Sequence, residues 1–306
     1  MGRYILRRSI HAVFVILGVI TAVFVITNLT GDPVELMLGE QASQADIERV
    51  RAELGMDRPL YIQYVNFLAD AVRGDFQDSL RFQGGAMEVV LSRFPRTLML
   101  AGVALAISVV LSITLGTIAA VKRHSPIDNV VMFLALLGQS IPNFWLGIML
   151  ILIFAVNLGL TPSQGYAPSP IHFVLPAITL AAPGLARLTR LTRSGMLDVL
   201  SEDYVRSARA KGLQEQTIVI RHALKNASIP LVTVIGLDFG ILLGGAIITE
   251  QIFQWNGVGQ LLVEAIHARD FPVIQAAVFI IALSFVVINL LVDILYTWLD
   301  PRVRLE

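Results

Sequence analysis

The 306-residue sequence contains no cysteine, only three lysines and few charges of either sign. Without cysteine there is no disulfide framework, no thiolate metal site and no cysteine nucleophile. Lys122, Lys211 and Lys225 all lie outside any G-x-x-x-x-G-K-[ST] pattern, so no phosphate loop of that kind is expected. His11, His124, His172, His222 and His267 are scattered, and no two fall at a metal-ligand spacing such as H-E-x-x-H. Charged residues make up 15% of the chain, against about 25% in a soluble one. Lys+Arg and Asp+Glu both number 23, so the formal net charge is zero. That balance argues against a nucleic-acid partner, and the low charge argues against disorder or an ordinary cytosolic domain.

What the chain has instead is apolar length. Hydrophobic residues make up 55% of it. Runs at about 10–29, 98–121, 130–157, 171–191, 229–249 and 272–296 each supply the roughly 20 residues that cross a ~30 Å hydrocarbon core. Pro142, Pro176 and Pro183 fall inside these runs, as neighbouring helices permit in a membrane. The short alternating segments of a β-barrel do not occur. The first run is longer than a signal-peptide core of about 7–15 residues, so an uncleaved first span is expected. The expected fold is an all-α integral membrane protein of six helices, a single transmembrane domain over residues 1–306.

Basic residues set the topology. Lys122, Arg123 and His124 follow the second run, and Arg187, Arg190, Arg193, Arg206, Arg209, Lys211, Arg221 and Lys225 separate the fourth from the fifth. Basic loops face the cytoplasm. Keeping both clusters on one side requires 130–157 to be a single span kinked at Pro142, with both termini cytoplasmic. Expected cytoplasmic segments then hold 15 Lys+Arg against 7 Asp+Glu, and external ones 8 against 14. Asp238 and Asp293 fall within spans. Zero net charge is therefore a cancellation across the membrane.

Segment 30–97 is the external loop. Ser43 and Asp46 resemble a capping box opening a helix to about Leu54, with Gly55 as a stop. Asp57 and Pro59 open a second helix that Gly74 ends. This segment reads as a helical cap on the bundle or as a docking surface. Segment 194–228 is the cytoplasmic loop. Ser201 is expected to N-cap a short helix with Glu202 and Asp203 in its first turn. Arg206, Arg209 and Lys211 come late in it, and Gly212 stops it. Pro230 is expected to mark the entry to span five. A basic loop alone does not need paired start and stop signals.

This stretch, with Glu202-Asp203-Tyr204-Val205-Arg206, Ala208-Arg209-Ala210-Lys211-Gly212, Arg221-His222-Ala223-Leu224, Asn226-Ala227 and Pro230, resembles the coupling loop of bacterial ABC-importer permeases of the oligopeptide/dipeptide subfamily. The resemblance runs along the chain: Gly31-Asp32-Pro33; Gly74-Asp75-Phe76; Ser140, Pro142 and Phe144-Trp145-Leu146-Gly147; Glu250, Phe253, Trp255 and Gly257-Val258-Gly259; Asn289 to Asp293; and Asp300-Pro301-Arg302. The chain departs from it at four places, one being the proline after Gly212, which comes several residues later than in the general signature. Arg206-Ser207-Ala208 stands where the general signature has Glu-Ala-Ala, Asn256 where the subfamily usually has Pro, and Gln77 where it often has Gly.

The resemblance implies a non-catalytic permease of the type I ABC importer kind. It implies a homologous second permease, two ATPase subunits that carry ATP and Mg, and an extracytoplasmic substrate-binding protein. No cofactor is expected in this chain. Residues Glu202, Asp203, Tyr204, Arg206, Ala208, Arg209, Ala210, Lys211 and Gly212 would couple to an ATPase. Asp238, Ser140 and Asn143 are candidates for the translocation path, and Trp255, Gly257 and Gly259 for an external gate or binding-protein docking. The expected cargo is peptides, with glutathione, nickel chelates or oligosaccharides as alternatives, in a bacterial inner membrane. A non-transporting scaffold or receptor subunit is the reading of another class.

Asp238 carries its own argument. A carboxylate at the bilayer centre costs roughly 2.5–3.5 kcal/mol on insertion scales. It must face the bundle interior or an aqueous path, where it meets a cationic group of the substrate or a donor on the partner permease. Asp293 lies at a different depth, so an aspartate dyad is not expected. Gly236, Gly240, Gly244 and Gly245 suggest close helix approach in span five.

Overall fold

The computed structural model describes residues 2–29, 43–53 and 56–299. Gly31-Asp32-Pro33, Leu54, Gly55 and the C-terminal Asp300-Pro301-Arg302 lie outside the described residues. The architecture is helical throughout: α1 (Gly2–Leu29), α2 (Gln44–Glu53), α3 (Leu60–Arg73), α4 (Ala86–Val121), α5 (Pro126–Ser140) and α6 (Asn143–Leu150, continued by a wider π turn over Ile151–Asn157). Then come α7 (Pro170–Leu200), α8 (Asp203–Ala210), α9 (Lys225–Phe253), α10 (Val258–Ala268) and α11 (Phe271–Leu299). A turn at Glu215–Thr217 and a π-helical stretch at Ile218–Leu224 lead into α9 without a break. Among the described residues the one β feature is an isolated bridge between Asp78 and Gly85.

The chain divides into two compact units. One comprises Leu98–Trp255 and the chain from Ile288. Its core packs Leu100, Ala104, Leu180, Ala181, Leu243 and Trp255, all buried. Small residues let the helices approach, as lipid supplies no hydrophobic drive between them. Gly116 is the closest case. A Cβ there would lie 2.6 Å from Thr192 Cβ and 2.7 Å from the Thr189 carbonyl, so α4 and α7 touch backbone to side chain. Gly236 of α9 likewise leaves no room for a Cβ against Val292 of α11. Gly244, by contrast, meets nothing within 4 Å. The glycine-rich face is therefore used within the chain at one end and left open at the other.

The second unit comprises Gly2–Thr97 and Asn256–Val287. A relay of rings holds it: Phe24 lies 5.4 Å from Tyr64 and 5.6 Å from Phe67, Phe67 lies 6.2 Å from Phe76, and Phe76 lies 5.3 Å from Phe279. The Asp270 carboxylate, fully buried, accepts from Ser79 Oγ at 2.5 Å and from the Arg81 amide at 3.1 Å. Gly74 ends α3 in the left-handed region at φ 75°, as its sequence position predicts. Gln77, standing where the subfamily often has Gly, also has positive φ, at 66°. Asn256 does too, at 63°.

The helices outrun the hydropathy windows. α4 begins at Ala86, within the segment read as external loop, and α7 continues to Leu200. Arg187, Arg190 and Arg193, the basic residues that close the fourth run, are therefore all inside one continuous helix. Pro176 and Pro183 sit inside α7 and Pro230 inside α9, so Pro230 does not mark a helix entry. Ser201 does not cap α8. It follows the end of α7, where its hydroxyl donates to the Asp198 carbonyl at 2.7 Å, and Glu202 is the residue before α8. The third run is more than kinked. α5 and the helix from Asn143 to Asn157 meet at 106° across Ile141 and Pro142. Ser125 caps α5, its hydroxyl accepting from the Asp128 amide, with Pro126 at the first position.

Candidate translocation and coupling sites

The coupling candidates form an exposed, anchored helix. In α8 only Val205 is buried, at 0% exposure. It faces the buried side of the following segment, where Ile218, Val219 and Ala223 are also buried. That segment joins Ala120, Met196 and Ala227 in one small core. Glu202, Asp203, Tyr204, Arg206, Arg209, Ala210, Lys211 and Gly212 are all exposed, and Ala208 is half-buried. Gly212 has φ 78°, the left-handed stop its position predicts.

Three contacts stiffen this segment. Asn226 Nδ2 donates to the Tyr204 hydroxyl at 2.7 Å, tying α8 to the start of α9. Asp203 and Arg206 face each other at 3.4 Å one turn apart. Arg209 grips Glu215 with two N–H groups, Nη2 to Oε1 at 2.6 Å and Nε to Oε2 at 3.1 Å. These hydrogen bonds hold the Glu215 carboxyl below its ordinary range, against partial desolvation and with added help from the guanidinium charge.

The path candidates gather around the α5–α6 break. Ile141 adopts extended backbone (φ −79°, ψ 125°), as the residue before a proline prefers. Ser140 and Asn143 flank the break. Ser140 is exposed and its hydroxyl donates to the Leu136 carbonyl at 2.9 Å, while Asn143 is half-buried at the first position of α6.

Asp238, on α9, is 3% exposed. Arg187 of α7 donates to its Oδ1 at 2.5 Å. Its partner is thus on the same chain, where the sequence left substrate and partner permease open. Oδ2 is buried with no hydrogen-bond partner, beside the space that Gly184 leaves: a Cβ on Gly184 would sit 3.5 Å from Oδ2. One turn on, Arg190 Nη1 donates to Gln139 Oε1 at 2.6 Å. Two turns on, Arg193 makes a fork on Asp128, at 2.6 and 2.7 Å. Asp128 also accepts from the His124 amide at 3.0 Å. The Asp128–Arg193 pair and the arginine ladder escaped the sequence reading. Their signal was there, as arginines three residues apart mark helical continuation rather than loop.

Trp255 is fully buried. Its ring meets Phe173 edge-on at 4.6 Å and Tyr166 at 5.1 Å. This places it in a packing cluster, with no surface to offer a docking protein or the lipid interface. Gly257 precedes α10 with extended backbone, and Gly259 is buried within it. Gln254, in the left-handed region at φ 48°, turns the chain at the end of α9.

Residues 112–305 match the family described as the binding-protein-dependent transport system inner membrane component, and residues 1–101 match that family's N-terminal region. The chain belongs to this family: it is a multi-pass permease of the inner membrane. It is 43% identical over 305 residues to the glutathione transport system permease protein GsiC of Escherichia coli (strain K12), covering 99% of each chain. It is 40% identical over 315 residues to the oligopeptide transport system permease protein AppB of Bacillus subtilis (strain 168), covering 99% of this chain and all of the relative. In fold it is similar to the inward-facing MetNI methionine ABC transporter, with TM-score 0.60 and 18% identity over 70% of this chain and 97% of the other. An amino acid ABC transporter with histidines matches at TM-score 0.52 and 19% identity, over 70% and 94%.

Proposed function

We propose that this chain is one of two permease subunits of an ATP-driven importer that moves peptides by alternating access. The neighbouring cargo class is glutathione, which the relative named for glutathione transport supports. ATP and Mg belong to two partner ATPases, and a substrate-binding protein delivers cargo from outside. Both termini are cytoplasmic. Ser140 and Asn143 line the pathway at the helix break. Asp238 acts behind it, by holding Arg187.

The observation that carries this reading is α8: about two turns of helix closed by Gly212, exposed on every side but one, with Val205 as its anchor. A segment built for solvation alone has no need of such rigidity. A docked ATPase does, because its closure must move α8 as a solid body. Residues Glu202 to Gly212 form the gripped surface.

The test uses the tagged chain expressed with its neighbouring-encoded subunits. Wild type should recover a second permease and the ATPases, and vesicles should accumulate labelled peptide or glutathione. Arg206 is 79% exposed, so Arg206→Glu leaves the fold intact. It should release the ATPases while retaining the second permease. Full ATPase recovery and uptake would refute the role of α8, and absence of any uptake by wild type would favour a scaffold.

A further inference from the structure

Of the three arginines of α7, one has no carboxylate partner among the described residues. Arg187 is matched by Asp238 and Arg193 by Asp128, carboxylates of the same chain. Arg190, between them in sequence, holds only a neutral amide oxygen, that of Gln139. Among the described residues no carboxylate lies within ion-pair distance of it. The remaining guanidinium N–H groups and the Gln139 NH2 group also have no protein partner among the described residues. The cluster offers mainly donors and carries one net positive charge.

Its neighbours on α7 are polar. Arg187, Arg190, Ser194 and Asp198 are all exposed at spacings of three and four, so they form one polar stripe along α7. An arginine facing hydrocarbon is costly, so such a stripe favours a polar neighbour. Gln139 is also exposed and lies two residues before the break. Pro142 has no N–H, so the Gly138 carbonyl loses its helical donor. Irregular backbone at membrane depth occurs where protein buries it or where it lines water. The hydrogen bond from Arg190 to Gln139 thus joins the unmatched cation to the broken helix.

We propose that Arg190 and Gln139 form a carboxylate-recognition contact in the translocation path, taking the free carboxylate of a peptide-like solute. It rests on the permease reading above. A guanidinium presents parallel N–H groups that fit a planar carboxylate in a fork, and the Gln139 amide adds a further donor. Arg187, one turn away, is held and neutralised by Asp238 and is not part of the contact.

The experiment uses the complete importer in proteoliposomes and two forms of one tripeptide, free acid and C-terminal amide. Arg190→Gln should lower free-acid uptake relative to amide uptake by about tenfold, the scale of one lost charge-assisted hydrogen bond. Arg190→Lys should fall between. ATPase activity and recovery of the second permease should stay near wild type. Equal loss for both forms, no loss, or loss of the second permease overturns the proposal. A second measurement does not need transport. Phenylglyoxal labelling of Arg190 in wild-type complex, read by mass spectrometry, should be blocked by millimolar free-acid peptide and not by the amide. No protection overturns the carboxylate contact. Protection without peptide uptake supports the contact and overturns only the importer reading.

Discussion

Arg187 and Asp238 are joined at 2.5 Å between α7 and α9, with the aspartate side chain 4% exposed and the arginine 45% exposed. Breaking such a pair from the arginine side strands a buried charge, which costs more than the bond itself contributes. Because Arg187 is half in solvent, the expected cost of Arg187→Gln is about 2–3 kcal/mol, less than for a fully enclosed pair. Asp238→Asn should cost less, because it leaves no stranded carboxylate. The double variant should recover part of the Arg187→Gln loss. Thermal unfolding of the detergent-solubilised complex checks this; full additivity of the two single losses would show that the pair is not coupled.

The glycines of the first unit divide sharply. Gly116→Ala must displace Thr192 or the Thr189 carbonyl, so a loss of about 1–3 kcal/mol is expected. Gly244→Ala enters open space in a helix interior and should gain about 0.5–1 kcal/mol in the isolated chain. Thermal unfolding of the isolated, detergent-solubilised chain measures both. If Gly244→Ala is harmless alone yet prevents assembly with the second permease, the open glycine face is where that subunit packs.

The Arg209–Glu215 grip makes the coupling segment sensitive to acid. The Glu215 carboxyl is held below its ordinary value of 4.5. Its stabilisation is therefore complete above that value and is lost as pH falls through the lower folded value. Both side chains are about half exposed, so the pair contributes about 0.2–1 kcal/mol, less at high salt. Hydrogen exchange over residues 203–215 should speed up on acidification in wild type, after correction for intrinsic rates. Glu215→Gln should exchange faster already at neutral pH and lose that dependence. An unchanged profile in the variant would remove Glu215 from the account.

The coupling helix was legible because its signals are local. Acidic residues open it, Gly212 closes it, and both act within one turn. Ser201 misled because a hydroxyl can donate backwards to a helix end as readily as it can cap a helix start. The prolines show the limit more plainly. Pro142 breaks a helix while Pro176, Pro183 and Pro230 sit inside continuous ones. The ring chemistry is identical in each case. Whether neighbouring groups compensate the missing N–H is decided by tertiary packing. The Asp238 partner was hidden for the same reason: Arg187 falls within the apolar run 171–191 yet counts with the basic cluster that follows it, and sequence alone does not aim it at another helix. Burial of Trp255 was equally out of reach, since an aromatic near a helix end reads the same way on a surface or in a core.

The break at Ile141–Pro142 also settles a matter of length. Run straight, residues 126–157 would make a rod of roughly 48 Å, against a hydrocarbon thickness of about 30 Å. Bent by 106°, the two arms do not share one axis, so their lengths do not add across the bilayer. Pro142 therefore sets how thick a membrane this segment tolerates. Straightening it would create a hydrophobic mismatch as well as remove a bend.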